Sequence, residues 1–159
     1  MKQRLYIETT VVSYLTARPN RDLLIAAHQE ATRELWPRLS TEYETYISAL
    51  VYEEAARGDA EQASKRLNAI KPFSLLDIDE DSQMLANKIL TERGIPREYP
   101  EDALHIAVAA INGIDIIVTW NFAHLSNPFT RKQIRRIVEN EGFLCPEICS
   151  PEELLEAAS

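Results

Sequence analysis

The run Ile114-Asp115-Ile116-Ile117-Val118-Thr119 is almost continuously branched and apolar, the pattern of a parallel strand buried on both faces. Parallel neighbours cannot be joined by a tight hairpin, so such a strand requires a chain in which strands alternate with crossover helices. The rest of the sequence supplies that alternation. Leu5-Tyr6-Ile7-Glu8, Tyr46-Ile47-Ser48, Ser74–Ile78 and Glu147-Ile148-Cys149 read as four further short strands. Between them lie helical segments: Val11–Leu15, Asp22–Leu39 bending or ending near Pro37, Leu50–Ala56 stopped by Gly58, Ala60–Ile70, and a helix capped by Asp79 that runs to Arg93 before Gly94. Pro100 opens the clearest helix, which closes at Asn112-Gly113. Arg131–Glu141 and a final helix begun by the capping box Ser150-Pro151-Glu152-Glu153 complete an α/β chain.

Residues 1–159 are long enough for a single domain that buries roughly 70% of its unfolded surface, and leave no room for a second one. No apolar run approaches the ~18 residues that a bilayer span needs, so neither a membrane segment nor a signal peptide is expected. Cys145 and Cys149 fit neither a redox pair nor a zinc knuckle and read as reduced thiols of a cytoplasmic protein. His28, His105 and His124 are scattered, which argues against a histidine-built zinc site. With 17 basic against 25 acidic residues the net charge is −8, so a polyanion would be repelled at long range. A nucleic-acid substrate would need a metal ion or a local basic patch.

In an open parallel sheet ligands bind beyond the carboxyl ends of the strands. Glu8 follows strand one, Glu54 reads as lying in the first helical turn after strand two, Asp102 lies in the first turn of the helix before strand four, and Asn121 follows that strand. Carboxylates brought to one edge repel each other unless a hard cation sits between them, and Mg²⁺ or Mn²⁺ suits oxygen ligands. Acidic residues in a first helical turn are also favoured by the helix dipole with no function at all, a reading open for Glu54 and Asp102. Glu8 is expected to be half buried with no evident partner. His105, one turn after Asp102, reads as a packed core histidine; the hydroxyls of Thr9, Thr10 and Thr119 suit metal-bound water or substrate, although such residues at strand ends usually serve turns and caps.

Four blocks, Tyr6–Leu15, Ile47–Glu54, Glu101–Ala107 and Val118–Leu125, together resemble the successive motifs of PIN domains. The likeness is nearest to VapC-type toxins of bacterial toxin–antitoxin pairs and extends over roughly residues 4 to 155. It implies a three-layer α/β/α sandwich around a mainly parallel sheet of four to five strands. It also implies an RNA-cleaving, Mg²⁺- or Mn²⁺-dependent enzyme with a small antitoxin partner and a homodimeric state. Carried over singly, the acidic positions of the family fall on Glu8, Glu54, Asp102 and Asn121. Two of these depart from the pattern: Glu8 replaces an aspartate and reaches ~1.5 Å further, and Asn121 keeps an oxygen but loses a charge.

Those departures define the competing reading, a PIN-fold module that binds RNA or protein with weakened or no cleavage. A small-molecule phosphohydrolase is disfavoured because no glycine-rich phosphate loop is present. The densest basic cluster, Arg131, Lys132, Arg135 and Arg136, forms two like-charge pairs at i,i+4 and is the first candidate for phosphate contacts; a solvated helix face is the alternative. Arg57, Lys65 and Arg66 are the second candidate.

Overall fold

The computed structural model describes residues 1–158. Its elements are β1 (Arg4–Ile7), α1 (Thr9–Thr16), α2 (Leu23–Glu42), β2 (Glu44–Ser48), α3 (Ala49–Ala55), α4 (Ala60–Ile70), β3 (Ser74–Leu76), α5 (Glu80–Thr91), α6 (Pro100–Ile111), β4 (Ile116–Val118), α7 (Pro128–Asn140), β5 (Glu147–Cys149) and α8 (Pro151–Ala158). The five strands form one wholly parallel sheet in the order β3-β2-β1-β4-β5.

That order dictates the layers. From β1 the chain steps outward to β2 and β3, then returns across β1 to β4 and β5, and right-handed crossovers in opposite directions place their helices on opposite faces. The helices pack accordingly: α1 touches α2, α3 and α4, and α2 touches α8, while α5 packs on α6 and α7. The result is a three-layer α/β/α sandwich. Its core is centred on β1, where Leu5, Tyr6 and Ile7 are fully buried, with Ile117 and Val118 of β4 and the apolar face of α6 against them. The branched run of β4 is thus buried as its composition requires, although the strand proper begins only at Ile116. Asp115 instead ties the strand entrance together, its Oδ2 accepting from the Arg4 amide at 2.8 Å.

Three local readings are corrected. Helix α2 continues through Pro37 to Glu42. An interior proline costs about 3 kcal/mol, but burial of Leu35 and Leu39, at about 1.5–3 kcal/mol each, offsets it. Since Pro37 itself is exposed, Pro37→Ala should raise the unfolding free energy by about 2 kcal/mol, read as a higher urea midpoint at unchanged slope. Helix α7 starts at Pro128 rather than Arg131, because Asn127 Oδ1 accepts from the Thr130 amide at 3.0 Å and proline fills the first turn. Helix α3 begins at Ala49, capped by Ser48, so Glu54 lies in its last turn and not its first.

Candidate active site

The strand order reverses between β1 and β4, the place where an open α/β sheet leaves a crevice at its carboxyl edge. Ile7 pairs with Val118 there, so the next residues, Glu8 and Thr119, emerge side by side. One cleft takes in Glu8, Glu54, Asp102 and Asn121 together, along with Thr9, Thr10, Ser13, Tyr14 and Arg57. All four acidic-block positions expected from the sequence therefore converge. A wider groove between α2 and α8 is also acidic, but its Glu30, Glu34 and Glu152 are exposed, as carboxylates on a solvated helix face are.

Glu8 is only 4% exposed, more deeply buried than the sequence suggests. Its Oε1 accepts from the Thr10 hydroxyl at 2.5 Å and the Thr119 hydroxyl at 2.6 Å. Thr10 Oγ1 and Thr119 Oγ1 accept in turn from the amides of Trp120 and Asn121, both at 2.9 Å. The threonines are thus more than turn formers: they are the missing partners of a buried carboxylate, whose desolvation would otherwise be costly. Both donors converge on one oxygen, which leaves Oε2 outside the hydroxyl clamp.

Glu54 occupies the unfavourable end of a helix for a negative charge, so the dipole reading of this residue is excluded. Its support comes from other elements. Oε1 accepts from the Thr9 hydroxyl at 2.5 Å and from Nε2 of His105 at 2.8 Å. Burial pushes the Glu54 carboxyl up, but the hydrogen bonds and charge of His105, with help from Glu101 and Thr9, outweigh it and hold the pKa down to about 2. Glu101 is pushed the other way by the neighbouring Glu54 carboxylate, with Arg57 opposing. His105 is fully buried, as expected of a core histidine, yet it is wired to the cleft. Burial pulls its pKa down, while Glu54 and the charges of Glu8 and Asp102 raise it further than burial lowers it. With the ring protonated, Nδ1 donates to the Tyr6 hydroxyl at 2.6 Å, which donates to Ser48 Oγ at 2.8 Å. Burial keeps the Tyr6 phenol protonated, its pKa well above the ordinary value.

Asp102 is tied down differently: its Oδ2 accepts from Nδ1 of His124 at 3.0 Å. Asn121 Oδ1 accepts from the His124 amide, also at 3.0 Å, so the asparagine holds the loop that holds the histidine. His105 and His124 are the functional residues that sequence reasoning missed. His105 carried a usable signal in standing one helical turn from Asp102, whereas nothing local in the sequence joins His124 to Asp102. The basic cluster on α7 is partly neutralised. Arg131 pairs with Glu153 at 3.3 Å and Arg135 with Glu147 at 2.7 Å, while Lys132 and Arg136 are exposed. Arg57 lines the cleft itself, and Arg66 braces it by donating to the carbonyls of Ala55 and Arg57. Cys145 and Cys149 are free, and burial pushes their thiols up to about 11 and about 12, so neither is a nucleophile near neutrality.

Ligand atoms of Glu8, Glu54 and His105 lie within 4.8 Å of one another, a compact group among the described residues. Both His105 nitrogens are committed to hydrogen bonds, which leaves carboxylate oxygen as the available donor, with Asp102 at the same cleft. Oxygen donors gathered around a shared cleft fit a hard dication of the Mg²⁺ or Mn²⁺ type and do not fit a histidine–thiolate metal.

No characterised protein in the curated collection matches the chain significantly. Solved structures share its fold. The Rickettsia felis VapBC2 complex, bound to a DNA fragment from its promoter, superposes with a TM-score of 0.59 at 15% identity over 92% of this chain and 98% of that one. Mycobacterium tuberculosis VapC20, a toxin that cleaves the sarcin–ricin loop, gives a TM-score of 0.58 at 16% identity, covering 88% of this chain and 96% of its own. A Klebsiella pneumoniae toxin–antitoxin complex gives 0.54 at 17% identity, covering 76% and 88%. The family model of the PIN domain matches residues 5–126, from within β1 to within the loop that follows β4, and the chain belongs to the PIN domain family.

Proposed function

We propose that this PIN domain is a Mg²⁺- or Mn²⁺-dependent endoribonuclease and the toxin of a toxin–antitoxin pair. The observation that carries the reading is the pair of carboxylates Glu8, buried, and Glu54, half-buried, each fixed by dedicated hydrogen-bond donors while sharing a cleft with Asp102. Such an arrangement costs desolvation and mutual repulsion and is of use only with a positive charge between the groups. Glu8, Glu54 and Asp102 would hold the cation, with Asn121 at the edge of the set. When bound, it supplies charge neutralisation and an activated water for phosphodiester hydrolysis. The protein's own part is positional. Thr10 and Thr119 fix Glu8, Thr9 and His105 fix Glu54, and His124 fixes Asp102, so the donors need no rearrangement. When protonated, His105 reduces the repulsion among the three carboxylates. Arg57 is the cation placed to meet a scissile phosphate, and Lys132 and Arg136 of α7 remain candidates for more distant phosphates.

The toxin role is supported by the VapC toxins that share the fold, one of them solved with a partner on promoter DNA. A small DNA-binding antitoxin encoded alongside, RNA as substrate, a homodimer and a cytoplasmic setting go with that role. No helix among the described residues is long and apolar enough to cross a membrane. A binding module with weakened cleavage is the second reading, favoured by Asn121, which spends its side-chain oxygen on the His124 amide.

Incubating the purified chain with single-stranded RNA in Mn²⁺, in Mg²⁺ and in chelator tests the enzyme reading. Cleavage is expected only with metal, and Asp102→Asn should lower it at least about tenfold while weakening Mn²⁺ binding in calorimetry. Metal binding without turnover would establish the second reading instead. Growth arrest on expression, relieved by the product of the adjacent small gene, tests the toxin role.

A further inference from the structure

Tyr99 caps the amino end of α6 by position but not by side chain, since it makes no side-chain cap hydrogen bond. Its ring packs instead against His124, the planes tilted by 32° and the centroids 3.9 Å apart, and His124 is the residue that grips Asp102. The ring is therefore pinned from one side beside the acidic cleft, yet Tyr99 is 45% exposed. A second aromatic surface adjoins the same cleft: Tyr14 lines it and stacks on Trp120 at 5.8 Å, and the exposed Phe122 meets the edge of Trp120 at 6.0 Å.

Electrostatics give these rings a task. Three carboxylates line the cleft against one cation, Arg57, which is already paired with Glu101 at 3.3 Å and Glu53 at 3.6 Å. A chain of net charge −8 with so few cations at its cleft cannot hold a nucleic acid by phosphate contacts alone. Stacking of bases on aromatic rings supplies affinity independent of charge, and it is open only to bases that are not already stacked in a duplex.

We infer that the outer face of Tyr99 is a stacking platform for one unpaired nucleobase next to the phosphate bound in the cleft. This rests on the nuclease reading for its substrate class and makes that substrate a single-stranded or looped RNA. A pinned ring is well suited to the role, because its rotamer freedom is spent before the base arrives.

The test is an abasic scan. A labelled single-stranded RNA of about twelve nucleotides, and copies lacking one base at each position in turn, are titrated with wild type, Tyr99→Phe and Tyr99→Leu with Ca²⁺ in place of Mg²⁺ or Mn²⁺, so that the charge of the cleft is balanced and binding is read without cleavage. For wild type, loss of the base at one position should weaken binding about 5- to 150-fold. Tyr99→Phe should behave as wild type; Tyr99→Leu should bind the intact RNA more weakly by a like factor and be indifferent to the base at that position. A flat scan in wild type, equal sensitivity in Tyr99→Leu, or absence of RNA binding overturns the inference. Metal-dependent cleavage, assayed separately, decides the nuclease reading. Cleavage with a flat scan removes only the platform, and a positive scan without cleavage removes only the enzyme.

Discussion

Glu54→Gln is expected to abolish metal-dependent RNA cleavage, with a loss of at least about 100-fold in kcat, because several kcal/mol of charge stabilisation at the cation depend on the carboxylates around it. Glutamine keeps the size and one oxygen but not the charge. It also leaves the buried His105 without its anionic partner, so both the cation and the imidazole lose their counter-charge in one substitution. A titration of cleavage rate against Mn²⁺ in wild type, Glu54→Gln and Thr9→Val separates the contributions. Thr9→Val removes only a hydrogen bond to the carboxylate and should cost about tenfold in apparent metal affinity, recoverable at high Mn²⁺. Full activity in Glu54→Gln would exclude this residue from the site.

The largest effect on stability is expected at His105. His105→Leu removes one partner of a largely buried ion pair and leaves the Tyr6 hydroxyl with Ser48 alone, a loss of about 3–5 kcal/mol, or a fall in Tm of roughly 10 °C for a chain of this size. The same pair sets the pH profile of the metal-free protein. Glu54 has a folded pKa of about 2 against an ordinary value of 4.5, so its contribution is present above pH 4.5 and is lost as pH falls toward 2. Taken at face value that difference is worth about 3 kcal/mol, which solvent screening of the partly exposed carboxylate reduces to on the order of 2 kcal/mol. His105 is shifted upward from 6.5, so its share is full below pH 6.5 and is lost as pH rises through the folded value. The pair is therefore strongest between about pH 4.5 and 6.5, and His105→Leu should flatten both limbs of the urea-stability profile. An acid limb as steep in the variant as in wild type would show that Glu54 is not held down by His105.

The parallel α/β architecture was legible because branched runs such as Ile116–Val118 admit few alternatives, and because Gly58, Gly94 and Pro100 punctuate the helices between strands. The convergence was legible for a topological reason: Glu8 and Asn121 follow strand ends and Asp102 opens a helix at the same sheet edge, whereas Glu54 reaches the cleft from the last turn of α3 and not from the helix start the sequence suggested. What the sequence hid was support over long separations. The partners of Glu8 come from α1 and from the end of β4, and nothing local marks Thr119 as a donor to a residue 111 positions away. Asp102 depends likewise on a histidine 22 residues further on. Element ends were misplaced where side-chain caps decide them, as at Ser48 and Asn127, since capping depends on one hydrogen bond and not on a periodic pattern.

The clasp between Thr119 and Glu8 also gives the protein a birth order. Chains are made from the amino end, and β1 cannot complete its central pairing until β4 has been synthesised and threaded beside it. Until then Glu8 lacks the Thr119 hydroxyl, and Asp102 lacks His124. A nascent chain shorter than about 125 residues holds the acidic side chains but not the cleft that aligns them. Whatever chemistry the cleft performs is thereby withheld from an emerging chain until its fold is nearly closed.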